Sequence, residues 1–550
     1  MIPSARDRLF RGYGPLIGFT AVFLAIAVLV PSQQREVRVE PLEESALTSD
    51  PEVLDESEAA EEAGAEDADA EASTGTTAPA AGPAQQEAAP VTAAPATGPC
   101  PDRELQVPGD PYSPPCTTFQ GDNGGATSRG VTGDTITVAV RAQAFDNGML
   151  DALSKVAKAK IPNEGRDVIA RTIHGLVDYF NRTYQMYGRK LKVEIYDGKG
   201  DVLKEITGGG QEAAEADALR VAQEVQAFAD ISAVSPVYAD ALARRGVVNV
   251  GAPFMSREWM TARRPYVWSQ FPDCSTIVES VASYYATKMA NRPATLAGPK
   301  LKGQQRRLGI IAPENSWYQE CVRSGLQIME RSGARPVLNE RYRLEVPQMS
   351  MQAGEKLAKL KNAGVTTVMC GCDPLLLTFL TAKAKEQDYH PEWLITGVAL
   401  VDNDLIGSIM EQGQWSRAFG VSFSGPQQQA GHGLGYRAYK AMRDDEPSFG
   451  VELIYNQLNI LAIGIQMAGP ELTPETFEAG LFRYPQRAGP AGTWAFGPND
   501  YATAEDAREV YWDPRRTSIE TRERGTYVDV NGGRRFPIGR WPNTAPRAAG

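Results

Sequence analysis

An α/β protein of two lobes, each a doubly wound parallel sheet, is what this sequence of 550 residues predicts. Three observations point there. Strand and helix patterns alternate from Asp134 to Val250, then alternate again from Arg307 to Thr396. The stretch between them, Gly246 to Tyr285, reads as a chain leaving one α/β unit and starting another. A chain of this length also exceeds what one hydrophobic core organises.

The elements follow in order. Asp134–Arg141 (DTITVAVR) reads as a strand. Asp167–Tyr187 is a helix, with Ile169, Ile173, Leu176, Val177 and Phe180 at helical spacing. Lys190–Tyr196 is a strand, and Gln211–Phe228 a helix after the break Gly208-Gly209-Gly210. Ile231–Val234 is a buried strand, Tyr238–Arg245 a short helix and Val247–Val250 a strand again. Gly251–Ser256 (GAPFMS) is a loop, Arg263–Asp273 an extended piece and Cys274–Met289 a helix. The second unit has strands Arg307–Ala312, Arg335–Tyr342, Val365–Met369 and Trp393–Thr396. Its helices are Trp317–Ser332, Met351–Ala363 and Leu375–Gln387. Beyond come strand Ala418–Phe423, helix Gln427–Arg443 and a long apolar helix, Phe449–Met467, that returns to the first lobe. Gly489–Phe496 and Arg508–Trp512 read as strands, and Tyr527–Phe536 as a terminal hairpin turned by Asn531-Gly532.

The net charge of −12 is unevenly spread. Residues 33–100 hold sixteen acids against Arg35 and Arg38, whereas the rest of the chain beyond them is close to neutral. That Ala-, Glu- and Pro-rich segment cannot bury enough apolar area to offset its ordering entropy, so a disordered, self-repelling spacer is expected. No basic face is implied, which argues against nucleic acid as a partner. Leu16–Val30 carries no charge and follows Arg6, Arg8 and Arg11. At ~1.5 Å per residue it spans roughly 23 Å, a little under a ~30 Å hydrocarbon core. One reading is a signal peptide cleaved after Ala25-Ile26-Ala27 and a secreted protein. The other, favoured because the run continues through Val30, is a retained anchor in the cytoplasmic membrane, with the arginines inside. Either places the remainder outside the cytoplasmic membrane.

Six cysteines suit an oxidising compartment. Cys100 and Cys116 bracket a Pro-rich piece that their closure would stabilise by about 3 kcal/mol. Cys274, Cys321, Cys370 and Cys372 fall in the second unit. Cys370-Gly-Cys372 has only His390 within reach as a metal co-ligand, so structural disulfides are expected over metal, with the pairing open. No cofactor is implied.

The opening Gly130-Val-Thr-Gly-Asp-Thr-Ile-Thr-Val138 and the segment Ala363 to Pro374 (AGVTTVMCGCDP), followed by Pro391-Glu392-Trp393, resemble the type I extracytoplasmic solute-binding proteins of ABC transporters. The resemblance is to the branched-chain amino acid (Leu/Ile/Val) subgroup and covers roughly residues 130–540. The resemblance implies two lobes joined by three crossings, near Phe271, Ser424 and Pro490, closing on a solute that a membrane permease then accepts. The expected plan is a cytoplasmic 1–14, an anchor or signal over 15–31, a linker over 32–99 and a disulfide-closed extension over 100–130. Lobe one spans 131–270 and lobe two 271–424; 425–490 returns to the first, and 491–550 to the second.

In such sheets ligands sit at the carboxyl ends of the strands. Those ends here are Ser235–Tyr238, Gly251–Ser256, Glu314–Tyr318, Cys372-Asp373 and Gly397–Leu400. Ser235, Tyr238, Phe254, Met255, Asn315, Trp317, Tyr318 and Asp373 are therefore the candidate solute contacts. The resemblance places Tyr318 over the ligand; the competing reading makes Trp317 and Tyr318 core residues at a helix start. The acid that amino-acid-binding members place after the strand ending here at Thr396 is missing, since Gly397-Val398-Ala399 stands there. Asp373 could replace it, or could simply cap the helix behind it, with Pro374 as the first helical residue. Pro253-Phe254-Met255 stands where small and hydroxyl residues are usual. An ammonium without an anionic partner is costly, so a larger, apolar or aromatic solute suits the chain better than an ordinary amino acid.

Enzyme chemistry finds no support. His174, His390 and His432 stand near no nucleophile at a known spacing, GxxxxGK and HExxH are absent, and Gly431-x-Gly433-x-Gly435 misses the dinucleotide spacing. A membrane-tethered ligand sensor, or an envelope interaction module, built on the same fold is the alternative to uptake.

Overall fold

The computed structural model describes residues 100, 103–145, 155, 164–251, 254–429 and 431–547. The apolar run 16–30, the acidic linker, and Ala252 and Pro253 of the candidate loop lie outside the described residues. Among the described residues no helix is long and apolar enough to cross a membrane.

The first lobe is built from β1 (Thr135–Arg141), α1 (Arg166–Thr183), β2 (Lys190–Tyr196), α2 (Val202–Ile206), α3 (Gln211–Arg220), β3 (Ala229–Asp230), α4 (Pro236–Arg244), β4 (Val248–Val250), α5 (Arg257–Thr261) and β5 (Val267–Trp268). Its five strands run parallel in the order β2-β1-β3-β4-β5. Val138 of β1 stands opposite Val193 on one side and Ala229 on the other. Inner parallel strands are covered on both faces, which is why β1 and β4 are so rich in valine. Ile173, Leu176 and Phe180 of α1 pack into the same core.

The second lobe comprises α6 (Cys274–Tyr284), β6 (Leu308–Pro313), α7 (Ser316–Arg331), β7 (Leu338–Tyr342), α8 (Met349–Asn362), β8 (Thr367–Cys370), α9 (Pro374–Glu386), β9 (Glu392–Ile395), α10 (Asp404–Ser408), α11 (Gln412–Trp415) and β10 (Ala418–Ser422). The chain returns through α12 (Leu434–Lys440), α13 (Val451–Ala468), α14 (Pro474–Arg483) and the small pair β11 (Arg487–Gly489) and β12 (Gly492–Trp494). It ends in β13 (Asp506–Thr517), β14 (Arg524–Asp529) and β15 (Arg535–Pro537). The second sheet has eight strands, in the order β14-β13-β10-β9-β8-β6-β7 with β15 also on β13; β6 to β10 are parallel and β13 runs antiparallel to β10.

Two sets of buried side chains mark the lobes. The first core runs from Val107 to Trp268 and resumes from Ala438 to Tyr501. The second lobe's clusters run from Ile277 to Phe423 and resume at Ala507. The chain therefore passes between lobes three times. Trp494, Phe496 and Tyr501 still pack in the first core, so the third passage lies between Tyr501 and Ala507 rather than near Pro490.

Other departures from the sequence reading have local causes. The strand expected at Ile231–Val234 is β3 at Ala229–Asp230, because Gln226 takes a left-handed conformation (φ 53°) that ends the preceding helix early. The helix expected over Gln427–Arg443 is only α12, since Gly431 and Gly433 precede it. Asn531-Gly532 does not turn a hairpin: β14 and β15 both pair antiparallel with β13, so the residues between them kink one interrupted edge strand. The hairpin joins β13 to β14 instead.

The N-terminal extension belongs to the first lobe. Cys100 and Cys116 form a disulfide. Tyr112 is fully buried and stacks on Trp494 with ring centroids 4.1 Å apart. Its hydroxyl donates to the Gly492 carbonyl at 2.8 Å.

Candidate functional site

At the carboxyl ends of the first sheet the polar side chains bond to one another. Arg141 closes β1 and is completely buried. Its guanidinium meets Glu205 through both terminal nitrogens at 2.8 Å and Asp217 at 3.3 Å. It also lies over the Tyr238 ring, 3.9 Å from the centroid. Burial disfavours its charge, but the Glu205 pair more than compensates and holds the Arg141 pKa above its ordinary value. Asp217 accepts from the backbone N–H groups of Lys199 and Gly200 at 2.7 and 2.8 Å. Ser235 caps α4 and gives its hydroxyl proton to Glu205. Asp230, at the end of β3, accepts from Ser232 N at 2.6 Å, Ser232 Oγ at 2.7 Å and Tyr238 OH at 2.8 Å. Burial raises the Asp230 pKa in spite of these donors. Tyr238 in turn meets Tyr196 at 2.7 Å.

The second sheet ends differently. Asp373 caps α9, one oxygen accepting from Leu375 N and Leu376 N at 2.9 and 3.0 Å, the other from Tyr342 OH at 2.7 Å. Burial raises its pKa. The disulfide Cys370–Cys372 fixes the turn just before it, and Cys274–Cys321 ties the start of α6 to α7. The helix α7 presents Trp317 and Tyr318 from its first turn. Tyr318 packs against buried side chains of both lobes, and burial pushes its pKa up to about 12. Between β9 and α10, Ala399 and Leu400 both have positive φ (50° and 60°), a backbone strain that only a tightly determined loop sustains.

The lobes touch through these strand-end loops. Asn315 Nδ2 donates to the Thr207 carbonyl at 3.2 Å. Ser256 Oγ donates to Glu320 Oε2 at 3.1 Å. The Trp317 ring lies against Gly208, where a Cβ would come within 3.1 Å of it and where φ is +95°. Phe254, itself at φ 61°, meets Phe271 with centroids 5.5 Å apart and packs on the second lobe's core. Behind this region the first and third passages run side by side: Ser269 N donates to Tyr501 O at 3.0 Å, and Thr503 Oγ1 to Gln270 O at 2.8 Å. The second passage is pinned to the second lobe. Asp402 accepts from Ser422 Oγ, Phe423 N and Ser424 N at 2.7, 3.1 and 3.2 Å, while Arg508 Nε donates to Ser424 O at 2.9 Å.

The eight candidate contacts thus divide. Ser235, Tyr238 and Met255 are buried inside the first lobe, and the Met255 carbonyl accepts from Cys274 N at 2.9 Å. Asp373 is committed to its helix cap and to Tyr342. Phe254, Asn315, Trp317 and Tyr318 stand where the lobes meet. Arg141, Glu205, Asp217 and Asp230 escaped the sequence reading: each looks like an ordinary surface charge until topology gathers them. The one available signal was the run Gly208-Gly209-Gly210 after a short polar stretch, which marks a segment folded over the strand ends. Among the described residues, no three His, Cys, Asp or Glu side chains gather as metal ligands do.

The sequence matches the family described as periplasmic binding protein over residues 171–517, more than half of the chain. The chain belongs to that family. Its fold is shared with solute-binding proteins of ABC transporters, which are not enzymes. One from Rhodopseudomonas palustris, solved in complex with 4-hydroxybenzoate, superposes with a TM-score of 0.51 at 13% identity, covering 74% of this chain and 98% of its own. Another, from R. palustris BisB5 in complex with 3,4-dihydroxybenzoic acid, gives 0.50 at 12% identity and covers 74% and 97%. An Aeropyrum pernix substrate-binding protein gives 0.50 at 14% identity, with 74% and 96% covered. No curated protein sequence matches the chain at a significant level. At such identities the likeness establishes the fold, and the residues at the strand ends must speak for the ligand.

Proposed function

We propose that this periplasmic binding protein captures a small organic solute, aromatic or apolar rather than an ordinary amino acid, between its lobes. It delivers that solute to the membrane permease of an ABC-type uptake system. One observation carries the reading: at this face the side chains joining the lobes come from loops at the carboxyl ends of parallel strands and from the first turns of α7, the helix that follows β6, where α/β sheets place their ligands. Phe254, Trp317 and Tyr318 supply wide apolar faces there, and Asn315 an amide; Ser235, Tyr238, Met255 and Asp373 hold the surfaces behind them. The solved relatives in complex with 4-hydroxybenzoate and 3,4-dihydroxybenzoic acid agree with a preference for rings. Residues 16–30 serve as the anchor that keeps the protein on the outer face of the cytoplasmic membrane.

Capture works by population shift. Contacts to both lobes favour the closed arrangement, and the permease reads that shape. The test is a thermal-shift screen of the full-length chain against amino acids, aromatic acids, aromatic amides and small peptides. A ligand at a hundred times its Kd adds ~2.7 kcal/mol of stability. A screen in which no compound raises Tm would sink the proposal.

A further inference from the structure

The charged side chains at the strand ends are already neutralised within their own lobes. Arg141 has Glu205 and Asp217. Asp230 has Ser232 and Tyr238, Asp373 has two backbone amides and Tyr342, and one oxygen of Asp402 has Ser422 and two backbone amides, the other being buried without a partner among the described residues. Withdrawing any of these partners to greet a charged solute would strand a buried ion, at a cost of several kcal/mol. At this face Glu320 reaches across between the lobes: it is held beside Glu258 and Ser256 with Arg323 nearby, and burial followed by the Glu258 contact raises its pKa. That carboxyl pair repels a carboxylate, and Arg323 offsets part of the charge it would offer to an ammonium.

Buried polar atoms at the junction are not all so matched: Arg257 Nε and Asp273 Oδ2 face each other as an ion pair at 3.6 Å without a hydrogen bond, and Trp317 has no charge opposite it at all among the described residues. Trp317 Nε1 is buried and has no hydrogen-bond partner among the described residues. It lies near enough to the Tyr318 hydroxyl to favour the ionised form of that group, yet without the geometry of a bond. A buried donor left unpaired costs about 1–3 kcal/mol, so a ligand that brings an acceptor to it gains what the empty site lacks.

We infer that the solute meets the strand ends as an electrically neutral aromatic molecule carrying an oxygen acceptor, such as a phenol, an aromatic amide or an ester, and that Trp317 donates to that oxygen. The inference rests on the solute-capture reading and narrows its substrate class. An aromatic carboxylate or a zwitterionic amino acid is the wrong ligand for this chain, whatever its relatives hold.

The experiment measures Kd for 4-hydroxybenzamide, 4-hydroxybenzoate and L-leucine on the full-length chain in mild detergent at pH 7.5, in low and high salt. The expected result is that the amide binds at least about tenfold tighter than the acid, with little salt dependence, and that Trp317→Phe weakens the amide by about three- to tenfold. Tighter binding of 4-hydroxybenzoate or of leucine overturns the inference and leaves solute capture standing. An unchanged amide affinity in a folded Trp317→Phe protein removes Trp317 as the donor. Silence of all three probes, together with a silent screen, overturns both readings.

Discussion

The two sets of strand ends solve the same architectural problem in opposite ways. In the first lobe Arg141, Glu205, Asp217, Asp230 and two tyrosines bond to one another across the strand ends. In the second lobe a capped aspartate and two disulfides fix the turns, and the first turn of α7 sends a tryptophan and a tyrosine toward the partner lobe. The difference assigns roles: the first lobe offers a rigid floor, and the second the side chains that reach across. Buried ion networks contribute little net stability but tolerate no missing member, whereas apolar reach is adjustable.

That contrast can be broken in steps. Arg141→Met strands Glu205 and Asp217 in the core, and urea denaturation is expected to show a loss of about 3–5 kcal/mol, whereas Trp317→Phe leaves the midpoint nearly unchanged. Asp373→Ala removes a helix cap and leaves the Tyr342 hydroxyl unmatched, so a smaller loss of about 1–2 kcal/mol is expected by the same measurement. Between the lobes, burial, followed by Glu505 and Asp273, raises the Asp500 pKa to about 7. The folded protein therefore keeps a proton that the unfolded chain has released, and this group's contribution is largest below about pH 4 and falls as the pH rises towards 7. Asp500→Asn should flatten that slope, by on the order of 1 kcal/mol at pH 8. Smallest of all, Asn315→Ala should change stability by less than about 0.5 kcal/mol. Its loss of the Thr207 contact should nevertheless enlarge the mean radius of gyration in solution scattering; an identical scattering curve would mean that this contact does not help hold the lobes together.

Local pattern carried the fold a long way. Apolar periodicity located most strands and helices, and the division into two units followed from the repeated alternation. What escaped was non-local. The third passage near Thr503 depends on Tyr501 packing beside Trp268, more than two hundred residues earlier in the chain. The kink at Asn531-Gly532 looks like a hairpin turn until β13 pairs with both flanking strands. At the candidate site, topology alone named the right loops, but not which side chains turn inward. Ser235 and Tyr238 sit on a strand-end loop as expected, and their direction is set by Glu205 and Asp230, partners thirty and eight residues away. Asp373 carried both of its readings in the sequence; the structure spends both oxygens on the cap and on Tyr342.

Tyr112 stacked beneath Trp494 has a consequence for the birth of the molecule. The interior of the first lobe draws on side chains from Val107 through Tyr501, so translation must pass residue 501 before that lobe can close. The intervening lobe faces a similar delay, because Trp541 and Phe536 seal it from the far end. The last core side chain of the first lobe precedes that of the second by forty residues, and a chain halted before residue 501 would present two unfinished interiors to chaperones and proteases rather than one working half.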